Sequence, residues 1–422
     1  MKKILFVINT MGQAGAETAM LGLMQRLLQT GEYQLSLYVI LPQGELFGRL
    51  PAGVQVLNPH CSTESVLSPK GRLLLARSVL GAFFRHGTGF GHLGSIAANL
   101  RAQKRTSGRI QPDKALWRLL ADAAPPPPET YDLAIAYIEG ASTYFLADKV
   151  RAVHKAAFVH IDYPRAGYTP QMDAGCYDRI DRIFTVSDEV RTQFCSVYPQ
   201  YAAKIFLFRN LLDADYIRRQ SLASGFTDAF AGPRIVTIGR LHYQKAYDVA
   251  IEACAKIVQD GFDVRWYVFG EGPERPKLEK QIRERGLTDR FFLCGAVANP
   301  YPYLRQAALY VHATRYEGKS IAVEEAQILG KTILASDCTG NREQICSGVD
   351  GLLFPLSAEN IADAVETVLR DPALGQRLAL QAARKDLHHP EDLQRLLELL
   401  ESPQAKERNA HETNTAADPC AQ

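Results

Sequence analysis

The stretch Arg315-Tyr-Glu-Gly-Lys-Ser-Ile-Ala-Val-Glu-Glu-Ala326 carries the two acids best spaced for chemistry, Glu317 and Glu325, eight positions apart. Gly318 marks a hinge, and a helical pattern follows it. A loop carboxylate just ahead of a helix meets whatever binds the helix's positive end, where unpaired backbone N–H groups favour phosphate. At about 1.5 Å per residue, a carboxylate two turns further on stands roughly 12 Å away along the axis. That is about the span from a sugar to a ribose across a diphosphate, so the spacing suits a nucleotide-sugar. A capped amphipathic helix with exposed acids carries the same pattern.

Arg240 and Lys245 flank the turn Gly239-Arg-Leu-His-Tyr-Gln-Lys-Ala246 after a strand-like run. An Arg fork and a mobile Lys charge in one strand-to-helix loop suit a diphosphate leaving group; solvated surface charge is the alternative. Gly12 and Gly15, in Asn9-Thr-Met-Gly-Gln-Ala-Gly-Ala-Glu17, permit a tight turn and a close backbone approach to a ligand. Their spacing is not G-x-G-x-x-G and no ribose-binding acid follows, which argues against a dinucleotide site. His160 and Asp162 close the apolar run 156–161, where open α/β sheets place ligand contacts, and at i, i+2 they are expected on one side. No metal-ligand spacing surrounds them. Gly270 begins a glycine-pinned turn, Gly270-Glu-Gly-Pro273, that is weak by itself.

The elements that must position these groups form two series. Strands are expected at 4–9, 35–40, 54–58, 133–138, 156–161, 183–186 and 205–209, then at 234–238, 264–269, 291–294, 309–313, 332–335 and 352–354. Most are near-continuous apolar runs, as in parallel sheets covered on both faces. Residues 213–233 between the series are polar and rich in small residues. Two doubly wound α/β domains joined there is the economical reading. Pro125 to Pro128 mark a surface loop, and the polar tail from Ser402 is expected to be disordered.

With 422 residues the chain has room for two domains, and 46% hydrophobic with 22% charged residues is ordinary for a globular protein. The net charge of +2 conceals a basic window. Residues 65–120 hold ten Lys/Arg, among them Lys70, Arg72, Arg77, Arg101, Lys104 and Arg105, against the single acid Asp113, a local charge of +9. The eight cysteines show no C-x-x-C pair and read as reduced thiols. The opening Met1-Lys-Lys-Ile-Leu-Phe-Val-Ile is expected to be a first strand, being short for a signal sequence. No apolar run reaches the ~20 residues a membrane span needs.

Together, Gly239-Arg240-Leu241 with Gln244-Lys245, Gly270-Glu-Gly-Pro273, Gly295, the 317–325 segment and Gly351-Leu-Leu353 resemble the retaining glycosyltransferases of family 4, which have the GT-B fold. The resemblance runs over about residues 1–372. With Glu139-Gly140 and Phe158-Val-His-Ile-Asp162 it looks most like bacterial enzymes of capsule, exopolysaccharide or lipopolysaccharide assembly. It implies two Rossmann-like doubly wound domains facing across a cleft. An acceptor-side domain would span 1–212, with a basic insertion at about 65–128 and a helix at about 385–401 packed back on it. A donor domain would span 213–375, with a tail at 402–422.

The resemblance also implies roles. Arg240 and Lys245 would hold the donor diphosphate, Glu325 the ribose hydroxyls, and Glu317 the transferred sugar. Backbone amides of Gly318, Lys319, Ser320 and Ile321 would add phosphate and sugar contacts, and Gly12 would let its loop close over the diphosphate. His160 would approach the reacting carbon, with Glu139 and Asp162 on the acceptor side. No cofactor or divalent metal is implied, since fixed cations and helix dipoles replace it.

Two residues depart from the family pattern: Ala246 stands where a glycine usually follows the lysine, and Lys319 replaces an aromatic or aliphatic residue. The implied function is hexose transfer from a nucleotide-sugar, UDP-linked by preference, to a glycan or lipid-linked acceptor, at the inner face of the plasma membrane. The basic window suits an anionic leaflet, at about 1 kcal/mol per Lys/Arg, and carries no nucleic-acid module; an ordinary solvated insertion is the alternative. An inactive GT-B scaffold, or a nucleotide-sugar hydrolase or epimerase, are the rival readings.

Overall fold

The computed structural model describes residues 1–401 except 67, 85–87, 108–111, 174 and 388; at 88–90, 95, 105–107, 112–113 and 165 only the backbone is described. The expectation for 402–422 falls outside the described residues, as do Arg85, Arg109 and the Arg105 side chain of the basic window. The chain divides into two compact units, Met1–Asn210 with the chain from His389 on, and Leu211–His388.

Unit 1 is built on β1 (Lys2–Ile8), β2 (Tyr33–Val39), β3 (Val54–Val56), β4 (Thr130–Ala136), β5 (Arg151–Val159), β6 (Arg182–Thr185) and β7 (Ile205–Leu207). They form one sheet in the order β3-β2-β1-β4-β5-β6-β7, each pairing parallel. Ile4 through Ile8 have no exposed surface, which explains why β1 reads as an unbroken apolar run rather than an alternating one. Register sets Ile4 opposite both Leu35 and Leu133. Three helices, Pro69–Phe84, Thr88–Ser107 and Pro112–Ala123, are inserted between β3 and β4 and pack on one another. The helix Pro390–Glu401 lies against β4 and β5, burying Leu396, Leu399 and Leu400.

Unit 2 holds β8 (Arg234–Ile238), β9 (Arg265–Phe269), β10 (Phe291–Gly295), β11 (Leu309–His312), β12 (Thr332–Ser336) and β13 (Leu352–Phe354). The parallel order is β10-β9-β8-β11-β12-β13. The stretch 213–233 is not simply a linker: Asp213 caps the helix Ala214–Gln220 by accepting from Tyr216 N at 2.8 Å.

In each sheet the winding direction reverses once, between β1 and β4 and between β8 and β11. At such a switch point the two loops leaving the carboxyl ends diverge to opposite faces and open a crevice. Asn9 to Ala14 and Tyr137 to Gly140 leave one switch point; Gly239 to Lys245 and Ala313 to Ser320 leave the other. Two local expectations change. β5 stops at Val159, so His160 and Asp162 lie beyond it and strand alternation does not orient them. The helix after Glu317 begins only at Ile321, so Glu325 is about 6 Å along its axis and the 12 Å helical spacing does not apply.

Candidate functional site

In unit 2 the two switch-point loops are stapled together. Arg315 stacks over the Tyr243 ring at 4.0 Å and forks onto Asp248 at 2.7 and 3.0 Å. Its backbone N donates to Gln244 O at 2.8 Å, while Gln244 Nε2 donates to Tyr316 O at 2.8 Å. Ala246 adopts φ 46°, the left-handed region that an L side chain occupies only at a cost of about 1 kcal/mol or more, so the loop keeps a glycine-like turn with an alanine in it. Gly270 and Gly272 lie directly on this loop: a Cβ at either would collide with the Gly239 or Leu241 carbonyl. Gly270 thus supports the Arg240 turn by close packing.

The stapled loops bring Lys245 onto Glu317, whose Oε2 also lies 3.2 Å from His312 Nε2. Both partners are largely buried, at 18% and 11% side-chain exposure, so the pair is sheltered from solvent screening. Burial alone would raise the Glu317 carboxyl, but Lys245 and the His312 hydrogen bond outweigh it and hold it at about 2. Burial, reinforced by Lys245, pushes the His312 imidazole down, keeping it neutral. The consistent tautomer has Nε2–H donating to Glu317 and Nδ1 accepting from Tyr310 OH, 3.2 Å away. Arg240 is exposed and has no side-chain partner among the described residues. Of the two cations chosen from sequence, one is tied to Glu317 and the other is open.

Gly318, Lys319 and Ser320 lead into the helix Ile321–Ile328, whose first-turn amides receive no side-chain cap. The Ser320 amide is already committed, donating to Gln344 Oε1 at 2.7 Å, while Gln344 Nε2 returns to Ser320 O at 2.9 Å. The amides of Ile321 and the residues after it are therefore the better anion donors. Lys319 is buried in an ion pair with Glu324 at 2.7 Å, 9% and 4% exposed. Burial raises the Glu324 carboxyl, and Lys319 only partly offsets this. Glu325, 6% exposed, accepts from Tyr301 OH at 2.8 Å, which fixes its carboxylate.

In unit 1, Met11 N donates to Gln43 O and Leu46 N to Met11 O, both at 2.9 Å, holding the loop that carries Gly12. Gly44 makes this approach possible, because a Cβ there would strike Met11 and the Gly12 amide; a Cβ on Gly12 itself would meet only Thr10 Oγ1, at an ordinary 3.7 Å. Gly15 starts the helix Gly15–Gln29, which has no side-chain cap. Glu139 is buried and accepts from His160 N at 3.0 Å, so β4 and β5 bring these two together. Burial raises the Glu139 carboxyl despite that bond. Burial also lowers His160 to about 4, leaving it neutral, with its Nε2 buried and unpaired against the Tyr137 and Phe158 rings. Asp162 is 8% exposed in the loop that follows.

Among the described residues, the grouping spaced to hold a metal is His389, Glu391 and Asp392. Asp392 there already accepts from Arg209 at 3.1 Å and Arg395 at 3.0 Å. Sequence reasoning missed His312, Tyr301 and Gln344. His312 ends a strand five residues before Glu317 and was the most readable of them; the others act from distant segments with no local pattern.

Residues 232–371 match the family described as glycosyl transferases group 1. Alpha-D-kanosaminyltransferase of Streptomyces kanamyceticus is 34% identical over 154 residues, 36% of this chain and 40% of that enzyme. A Campylobacter jejuni enzyme named as an N-acetylgalactosaminyltransferase acting on a diphospho-undecaprenol saccharide is 23% identical over 55% of this chain and 59% of its own. Each alignment therefore spans less than two thirds of the curated relative. HepE of Anabaena, solved with UDP and glucose, superposes with a TM-score of 0.65 at 16% identity over 95% of this chain and 100% of its own. A TarM mutant of S. aureus, solved with UDP and glycan ligands, gives 0.65 at 13% identity with the same coverage. The chain has the GT-B fold, and its residues 232–371 are similar to the group 1 glycosyl transferases.

Proposed function

We propose that the chain is a hexosyltransferase, moving a sugar with retention of configuration from a nucleotide-sugar, UDP-linked by preference, to a glycan or lipid-linked acceptor in bacterial surface polysaccharide assembly. The observation that carries this is the buried Lys245–Glu317–His312 set at the second sheet's switch point, beside the open Arg240 and the uncapped helix start at Ile321. The UDP held by the solved neighbours favours the uridine nucleotide, and the undecaprenol-linked substrate in a relative's name favours a lipid-linked acceptor. A relative from Rhizobium meliloti, named for lipopolysaccharide core biosynthesis, favours the surface-polysaccharide setting.

The chemistry follows from the charges. An ammonium has three protons, and Glu317 takes one, which leaves Lys245 two for a phosphate oxygen. Arg240 adds a bidentate fork, and the Ile321 helix start adds backbone donors. These fixed positive groups neutralise the nucleoside diphosphate as the sugar C1–O bond lengthens, so the proposal needs no divalent cation. Glu325 takes the ribose hydroxyls, and Glu317 is a fixed anion beside the sugar rather than a proton carrier. A carboxyl held at about 2 is a weak base at neutral pH. The acceptor oxygen attacks C1 on the face the diphosphate leaves, and its proton passes to the departing phosphate oxygen. His160, neutral and with Nε2 unpaired, is assigned to the sugar, and Glu139 and Asp162 to the acceptor side. An anionic membrane is the partner assigned to the basic window, with the protein on the inner face of the plasma membrane.

Calorimetric titration with UDP-glucose, UDP-galactose, their N-acetyl forms and GDP-mannose tests this. One donor should bind, with Arg240→Ala and Glu325→Ala each weakening it about tenfold or more, as expected for lost charge-assisted contacts. Absence of binding by every donor, or variants that bind as tightly as the parent, would sink the reading.

A further inference from the structure

The chain enters unit 2 at Leu211 and leaves it after His388, and both ends rest on the supports of the donor groups. Three buried side chains, Ile217, Tyr301 and Ile328, form a small cluster of their own. Leu212, Ala214 and Tyr216 pack on it from the entering segment, and Leu387 packs on it from the leaving one. The helix Ala214–Gln220 lies against both Tyr301–Gln306 and Ile321–Ile328, the helix that carries Glu325. Asn299 reinforces the first of these contacts: its Nδ2 donates to Gln220 O at 2.9 Å, and its Oδ1 accepts from Tyr301 N at 3.2 Å. Tyr301 in turn donates its hydroxyl to Glu325 at 2.8 Å. The second support runs through Lys385, close to the unit's end. Its ammonium donates to Asp350 Oδ2 at 2.8 Å and to Gln344 O, which also accepts from Gln327 Nε2 at 2.8 Å. Gln344 is the residue whose side-chain amide holds both backbone polar groups of Ser320. All of these contacts lie within Leu211–His388.

We infer that Tyr301 and Lys385 are positioning residues, coupling nucleoside diphosphate binding to the order of the two segments where the chain passes between units. The inference rests on the donor reading above, in which Glu325 takes the ribose and the helix start at Ile321 takes phosphate. A carboxylate held by a phenol keeps one orientation, and a loop amide held by Gln344 keeps one place, so the nucleotide meets a geometry already ordered. When the end segments loosen, Tyr301 loses its packing and Gln344 loses Lys385, and both nucleotide contacts are disordered together. Packing alone accounts for an apolar cluster. It does not account for a hydroxyl and an ammonium that each leave that cluster or segment to end on a donor support. Linkage makes the effect reciprocal: what the ordered segments contribute to nucleotide affinity, the bound nucleotide returns as order in the segments.

The test uses the full chain and UDP, with calorimetric titration and hydrogen exchange at the amides of 211–217 and 382–387. UDP should slow exchange in both segments of the parent. Tyr301→Phe keeps the ring and removes the hydroxyl, and Lys385→Met keeps the stem and removes the charge. Each should bind UDP at least about fivefold more weakly and lose most of the UDP-dependent protection. Lys385→Arg should restore both, because a guanidinium can donate to two oxygens at once. Variants that bind UDP as tightly as the parent, or segments whose exchange ignores UDP, overturn the inference. So does Lys385→Arg binding as weakly as Lys385→Met, which would reduce the lysine to a packing residue. A parent that binds no UDP removes the donor reading and this inference with it. Weakening by Glu325→Ala but not by Tyr301→Phe or Lys385→Met removes the inference alone.

Discussion

At the scale of single residues, the protein's most consequential group is Glu317, because its charge is held by neighbours rather than by water. Its carboxyl sits at about 2 against an ordinary 4.5, so the unfolded chain takes up that proton first. A depressed carboxyl contributes stability that is fully present above pH 4.5 and is lost as pH falls towards 2, about 3 kcal/mol in all. Urea unfolding of the parent and Glu317→Gln should therefore differ most at neutral pH and converge between pH 4.5 and 2. A gap that does not change with pH would mean that Lys245 and His312 do not hold the charge. Sequence made Glu317 and Lys245 visible because each sits in a short motif next to a strand end. It could not show that they touch, since contact depends on Arg315 and Gln244 stapling two loops some seventy positions apart. Tyr301, which orients Glu325, was invisible for the same reason.

Elements were most legible where burial on both faces left a near-continuous apolar run, and the thirteen strands among the described residues each overlap a run that was read, the partly exposed Val54–Val56 included. Their ends were not, because the last hydrogen bond of a ladder leaves no mark on composition. The extra strand residues assigned to His160, and the helical spacing assigned to Glu317 and Glu325, are errors of that kind. The loop before the Ile321 helix is shaped instead by a neighbour, the helix Thr339–Gln344. A Cβ on its Gly340 would overlap the carbonyl oxygens of Glu317 and Gly318, and its Gln344 holds both backbone polar groups of Ser320. Gly340→Ala should cost about 1–3 kcal/mol, the usual penalty for overpacking a closed contact. It should also weaken donor binding by displacing Glu317 without removing any charged group. A variant with normal stability and normal donor affinity would show that the loop does not depend on this approach.

At the scale of the whole molecule, the two units are not two consecutive lengths of chain, and the last described helix shows why the difference has consequences. Pro390–Glu401 returns to unit 1, where Asp392, with no exposed surface, accepts from the Arg209 amide at 2.9 Å and from the guanidinium groups of Arg209 and Arg395. Arg182 meets Glu398 at 2.9 Å, and Lys2 reaches the Leu400 carbonyl. Helix Pro390–Glu401 therefore covers apolar surface of β4 and β5 and also satisfies backbone at the end of the β7 segment. Breaking a buried charge cluster by removing one member typically costs about 3–5 kcal/mol, more than burial of a comparable apolar side chain contributes. Asp392→Ala, and more strongly a chain ending before His389, should lower the thermal transition of unit 1. The transition of unit 2 and the UDP-sugar affinity it carries should stay in place, because every residue assigned to the donor except His160, Gly12 and Gly15 lies within Leu211–His388. Calorimetry showing both transitions falling together would mean that the units unfold as one cooperative body and that the C-terminal helix supports more than the sheet it touches.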